Sequence, residues 1–300
     1  MRPIMVCLVG EQPVPNLLAV RHFRPAKAVL AFTQRVKPTS ERLSKVLSGE
    51  CEVHSLPVSE YDLEVTQSAL EAFINGRGWV TDGVFFNLTG GTKLMALAAY
   101  RLAEAWRCPF VYVESERDGL AHRYEFGSDS KLRHTAERIA PGVLSLDDYL
   151  KVHLGSVALK KRFDPGPGGL FEQAVMEALR PAVDDIRPGI QHLGTLDLDL
   201  AFRVGNQVGV AELKITEKAE LSQGVFGQLS LRMHREMLGT YTKRFLIVSA
   251  AGISPNLTRL ADVLELVLIQ LPGFWATRTL ATADRDHLVD TVCRAFAGNG

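Results

Sequence analysis

The feature that most constrains this chain is an alternation in its first half: short apolar runs at 4–9, 29–32, 51–56, 84–88 and 110–113, with helical patterns between them. Strands apolar on both faces and separated by helices form a parallel sheet covered on both sides, a doubly wound, Rossmann-like α/β domain. In such a sheet the strand-to-helix loops share one edge, and ligands bind there. Two of those loops are unusual: Gly10-Glu11-Gln12-Pro13-Val14-Pro15-Asn16 after the first strand and Thr89-Gly90-Gly91-Thr92-Lys93 after the fourth. Beyond residue 113 the pattern gives only a hairpin or edge strand at 122–126 and a helix at 145–154.

A break follows near 160–169, where Lys160, Lys161 and Arg162 lead into two prolines and three glycines, which is loop chemistry. We therefore expect residues 1–140 as the first domain, 141–168 as a linker and 169–300 as a second α/β domain. In the latter, Phe171, Val175 and Leu179 recur at helical spacing over 170–179. Strands at 196–204 and 207–213 flank a Gly205-Asn206 turn, a helix covers 223–238 and a buried strand covers 244–250.

Composition narrows the function. Lys plus Arg and Asp plus Glu are 34 each, so no overall cationic field draws the chain onto nucleic acid, and a polyanion must meet a local patch. Cys7, Cys51, Cys108 and Cys293 form no CxxC pair, against a zinc ribbon, a redox pair or a disulfide framework. No apolar run approaches the roughly 20 residues of a membrane span. The run after Arg2 meets Gly10 and Glu11 rather than a cleavage site, so it reads as a strand and the expected location is cytoplasmic.

The most informative pattern is Asp197-Leu198-Asp199 on one strand and Glu212-Leu213-Lys214 on the next. Alternation puts Asp197, Asp199, Glu212 and Lys214 on one face and the leucines on the other. Two carboxylates and an ammonium are what metal-assisted phosphodiester hydrolysis needs: oxygen ligands for a hard cation and a cationic group beside the attacking water. The same residue types also describe a solvated face with cross-strand ion pairs. Asp197 competes as the strand acid, and the spacing to Glu212 favours Asp199.

In the first half, Gly90-Gly91-Thr92-Lys93 opens a helix, where free backbone N–H groups, the dipole and Lys93 suit an anion. An ordinary glycine turn capped by Thr89 or Thr92 is the alternative. The segment is neither a Walker A loop nor a GxGxxG fingerprint, which disfavours ATP hydrolysis and dinucleotide redox chemistry.

The order of Glu172 on a helix, Asp199 on a strand, Glu212 and Lys214 on the next strand and Gln228 on a helix resembles the PD-(D/E)xK restriction-endonuclease-like superfamily, with Leu198 in place of the proline. Residues 9–18 and 87–95, with Gly169-Leu170-Phe171-Glu172 and Leu238-Gly239-Thr240-Tyr241, resemble the CARF (CRISPR-associated Rossmann fold) nucleases of type III CRISPR systems. The implied fold is an N-terminal Rossmann-like CARF domain followed by a C-terminal restriction-endonuclease-like α/β domain. The implied function is a homodimeric, metal-dependent nuclease that cleaves DNA and/or RNA and is switched on by a cyclic oligoadenylate, cyclic tetraadenylate by preference.

By that resemblance, Asp199, Glu212 and the Leu213 carbonyl hold magnesium or manganese, Lys214 orients the attacking water, and Glu172 supports a second metal or a metal-bound water. Gln12, Asn16, Asn87, Thr89, Gly90, Gly91, Thr92 and Lys93, with Thr33 and Gln34, surround the cyclic ligand. Gln228 lines the nuclease site, and Lys160, Lys161, Arg162, Arg232 and Arg235 meet substrate phosphates. Two alternatives stay open: a nucleotide-sensing regulator with an inactive nuclease domain, and a ring nuclease degrading the cyclic ligand.

Overall fold

A computed structural model describes residues 3–79, 83–115, 119–129, 131–159, 163–192, 196–216 and 235–297. The chain divides into two compact units, Met1–Leu144 with Lys151–Gly155, and Ser145–Leu150 with Ser156–Gly300. Lys160, Lys161, Arg162, Gln228, Arg232 and the side chain of Arg235 lie outside the described residues, as does most of the helix expected at 223–238.

The first unit is built on a seven-stranded sheet in the order β3-β2-β1-β4-β5-β6-β7. Strands β1 (Ile4–Val9), β2 (Lys27–Phe32), β3 (Glu52–Pro57), β4 (Val84–Asn87) and β5 (Phe110–Glu114) are parallel. Every residue of β1 is buried, as expected of a central strand with both faces covered. Helices α1 (Val14–Phe23), α2 (Lys37–Leu47), α3 (Leu63–Asn75) and α4 (Lys93–Trp106) make the crossovers. The hairpin β6 (Leu120–Phe126) and β7 (Leu132–Arg138) extends the sheet antiparallel.

Residues 141–168 are more than the linker expected of them. They hold α5 (Leu146–Leu154) and the short strand β8 (Ala158–Leu159). The reason is burial: Leu146, Tyr149, Leu150, Val152 and Leu154 have little solvent exposure. Within the second unit, the Tyr149 hydroxyl donates to the Leu238 carbonyl at 2.7 Å.

The second unit carries a six-stranded sheet in the order β13-β12-β11-β10-β9-β8. Helix α6 (Pro167–Leu179) packs on it, starting three residues before the predicted helix, with Pro167 in its first turn. Strands β9 (Asp185–His192), β10 (Leu196–Val204) and β11 (Gln207–Ile215) are antiparallel, whereas β11, β12 (Lys243–Ser249) and β13 (Val267–Gln270) are parallel. Leu200, Phe202, Ala211 and Leu213 share a core with Phe171 and Val175 of α6, Phe245 and Ile247 of β12, and Leu288, Val292 and Phe296 of the helix Thr282–Ala297. That assigns one sheet face to the core and leaves the other to Asp199 and Glu212.

Candidate functional site

In the first unit, β1 and β4 are neighbours with Cys7 opposite Asn87, so their loops leave the sheet side by side. The two loops touch: a Cβ on Gly10 would stand 3.0 Å from Gly91 N, and one on Gly90 would lie 2.1 Å from the Leu8 carbonyl oxygen. Gly91 has φ +73°, a conformation an L side chain strains to adopt. The glycine pair is therefore set by close backbone approach.

Under this loop runs a chain of side-chain hydrogen bonds. Asn16 Nδ2 donates to the Leu8 carbonyl at 2.9 Å, and Asn87 Nδ2 donates to Asn16 Oδ1 at 2.8 Å. Asn87 Oδ1 accepts the Thr89 hydroxyl at 2.6 Å, while Thr89 Oγ1 accepts the Val113 N–H at 2.8 Å. Asn16 and Asn87 are fully buried. They join β1, α1, β4 and β5 beneath the loop, with their amides hydrogen-bonded to internal partners as buried polar groups are.

Thr92 is the N-cap of α4, accepting the Met95 N–H at 3.2 Å and donating to the Glu60 carbonyl at 3.1 Å. This decides between the two threonines as cap. Lys93 is exposed at the first turn, with Gly90, Gly91 and Thr92 half-buried beside it. Gln12 is half-buried on the β1 loop, Thr33 is buried at the end of β2, and Gln34 is exposed. The edge thus offers the positive end of a fourteen-residue helix, an ammonium and glycine backbone, an arrangement suited to an anion.

Sequence reasoning missed three further residues here. Arg35 Nη2 lies 3.1 Å from Glu11 Oε1 of the β1 loop, and Arg35 Nε lies 3.8 Å from Glu60 Oε1 beyond β3. The signal was available: parallel topology sends the loops after β1, β2 and β3 to the same edge as the glycine loop.

In the second unit, the β10–β11 ladder runs from Val204↔Gln207 to Leu200↔Ala211 and stops. Beyond that point Asp199 Oδ2 accepts the Leu213 N–H at 2.6 Å, replacing a ladder bond with a side-chain bond. On the other side, register pairs Leu198 with Ile190 and Leu200 with Pro188, which sets Asp199 opposite Gly189, a glycine at φ +50°. Lys214 Nζ donates to Glu212 Oε1 at 2.7 Å. Asp199 and Glu212 are 8% and 1% exposed, so two acidic side chains are held inside an otherwise apolar sheet, a costly placement without partners.

Asp199, Glu212 and Lys214 therefore share one face as the spacing predicts, and Leu213 lies between them with its N–H given to Asp199. Glu172 is half-buried on α6, the helix that packs over β11. Among the described residues no group of three or more His, Cys, Asp or Glu side chains forms a metal cage. Two carboxylates and a backbone carbonyl are nevertheless a hard-oxygen set of the kind magnesium and manganese take, with water completing the shell.

The two units define a class by fold: a Rossmann-like α/β domain followed by a second α/β domain built on its own mixed six-stranded sheet. Residues 4–149 match the family model of the Card1 CARF domain. Over nearly their whole lengths, this chain is similar to Can2 from Sulfobacillus thermosulfidooxidans, solved in complex with cyclic tetra-adenylate, with TM-score 0.75 and 15% identity over 99% of this chain and 98% of that one. It is also similar to protein VC1899 from Vibrio cholerae, with TM-score 0.68 and 15% identity over 99% of both chains. A type III CRISPR defence DNA nuclease activated by cyclic oligoadenylate matches with TM-score 0.60 and 18% identity over 98% of this chain, which spans 52% of that one. No curated protein sequence matches. No helix among the described residues is long and apolar enough to cross a membrane.

Proposed function

We propose that this protein is a metal-dependent nuclease of type III CRISPR defence, activated by a cyclic oligoadenylate, with cyclic tetraadenylate as the expected activator. Residues 1–140 are the sensor and 169–300 the nuclease, and the working form is a cytoplasmic homodimer that cleaves DNA and/or RNA. The observation that carries this reading is the pairing of Asp199 and Glu212 with Lys214 on one sheet face where the β10–β11 ladder ends. The fold likeness to the Can2 complex supports the sensor half.

Asp199, Glu212 and the Leu213 carbonyl are the groups that would hold magnesium or manganese. A bound divalent cation would supply charge neutralisation at the scissile phosphate. Lys214, which donates to the Glu212 carboxylate, would orient the attacking water, and Glu172 of α6 would help hold a second metal or a metal-bound water. With no base-reading element in evidence among the described residues, phosphate contacts would dominate substrate binding and sequence preference would be slight.

The test is cleavage of supercoiled plasmid and of single-stranded RNA with manganese, with and without cyclic tetraadenylate, beside Glu212→Ala. Cleavage that needs both ligand and Glu212 is the expected result. Ligand-independent cleavage would sink the sensor half, and tight ligand binding without cleavage would move the chain to the regulator class. Metal-independent degradation of the ligand that survives Glu212→Ala would make it a ring nuclease.

A further inference from the structure

Arg35 is an exposed cation at the loop edge whose side chain is engaged by two acids at once. It stands in the short turn Gln34–Val36 after β2, 63% exposed, between Glu11 at 65% and Glu60 at 25%. The three are contiguous with the glycine loop: Glu11 follows Gly10, whose Cβ position abuts Gly91, and the Glu60 carbonyl accepts the Thr92 hydroxyl. Tyr61 is next, 76% exposed, and the Glu60 carboxylate beside it raises the hydroxyl pKa.

Ion pairs this open to water contribute a few-fold in equilibrium terms at most. Guanidinium and phosphate make a better match, because the planar fork of N–H donors meets two phosphate oxygens together. An anion arriving at Lys93 and the α4 N-terminus comes to the rim that holds Arg35. Releasing Arg35 costs little: Glu11 returns to water, and Glu60 keeps the Tyr61 hydroxyl as a partner.

We infer that Arg35 is a phosphodiester-binding residue of this rim, latched by Glu11 and Glu60 in the free protein and transferred to a phosphate of the nucleotide ligand when it binds. The latch would also reject weaker anions, since any ligand must outcompete two carboxylates for the guanidinium. This inference rests on the cyclic-oligoadenylate reading and adds a binding and specificity residue to it.

The experiment is calorimetric titration of cyclic tetraadenylate into the full chain at two salt concentrations. The proteins are wild type, Arg35→Ala, Arg35→Lys, the double variant Glu11→Gln/Glu60→Gln, and Lys93→Ala as a separate cation. Arg35→Ala is expected to weaken binding ~10- to 100-fold, the size of one charge-assisted hydrogen bond, and to flatten the salt dependence. Arg35→Lys should restore part of the affinity, and removing the two competing carboxylates should tighten binding ~3-fold or more. The exposed positions make misfolding easy to exclude by thermal melting.

Arg35→Ala binding within about twofold of wild type, while Lys93→Ala binds weakly, would overturn this inference and leave the sensor reading standing. Unchanged or weaker binding by the double glutamine variant would overturn the latch. A wild-type protein that binds neither cyclic tetraadenylate nor cyclic hexaadenylate would overturn the sensor reading itself, and this inference with it.

Discussion

Asp199 holds the Leu213 N–H at 2.6 Å at the point where the β10–β11 ladder ends. The carboxylate thereby has a structural duty, separable from the metal-holding one proposed for it. Asparagine retains an oxygen that accepts the same N–H but removes the charge that would hold a cation. Asp199→Asn should therefore melt close to wild type yet lose manganese-dependent cleavage. Asp199→Ala should lose cleavage and also about 1–3 kcal/mol of stability, the cost of leaving a buried N–H unsatisfied. An Asp199→Asn enzyme that cleaves normally would remove Asp199 from the metal set.

The Glu212–Lys214 pair couples a buried carboxylate to a partly exposed ammonium. Truncating one partner leaves the other uncompensated, whereas replacing both by neutral groups of similar shape is nearly free. Lys214→Met should lower stability measurably, and Glu212→Gln/Lys214→Met should recover most of that loss. Every variant of this set should fail to cleave while binding cyclic tetraadenylate as wild type does. Denaturant melts and binding isotherms on wild type and the two variants decide it, and a double variant no more stable than Lys214→Met would contradict the pairing.

At the loop edge of the first sheet, the buried residues that hold the glycine loop are distinct from the exposed Lys93. Asn87 sits under the loop, bonded to Asn16 and Thr89, and also bonds the Cys7 thiol. Asn87→Ala should cost about 1–3 kcal/mol for the buried partners left unpaired, with ligand binding weakened only as a consequence of the displaced loop. Lys93→Ala should leave the melting temperature in place and weaken binding ~10-fold or more. A thermally neutral Asn87→Ala would show that the buried chain of amides is dispensable.

How much of this was legible in the sequence follows from which elements carry a periodic signal. The apolar runs of β1 to β5 and the Asp197–Asp199 and Glu212–Lys214 strands announced themselves, because strands buried in a sheet leave continuous or alternating apolar patterns. Strand β7 did not: all seven of its residues are exposed, so no face is marked. Strand β9 contains Pro188-Gly189, which reads as a turn. Among the described residues β8 pairs with Gln191 and Ile190 and none pairs with Pro188 on that side, an edge position of the kind that tolerates proline. The burial of Asn16 and Asn87 was hidden for another reason: an amide's surroundings depend on which strands become neighbours, and that is a tertiary fact.

His153 supplies a pH-dependent term in stability. Its ring is enclosed in the first unit although the residue keeps part of its surface, and burial, followed by the charge of Arg42, pushes its pKa down to about 3. Arg42 is fixed there by donating to the Val152 carbonyl at 2.9 Å. In the unfolded chain the imidazole titrates near its ordinary value of 6.5. Above that pH both states are neutral and the group contributes no slope. As pH falls below it, the unfolded chain takes up a proton that the folded chain refuses, so stability declines by up to ~1.4 kcal/mol per pH unit until the folded pKa is reached. Carboxylates join the titration lower down, so the cleanest interval is between about pH 6.5 and pH 5. Urea midpoints taken across it should fall for wild type and fall distinctly less for His153→Gln, and equal slopes for the two proteins would place the imidazole in water rather than in the fold.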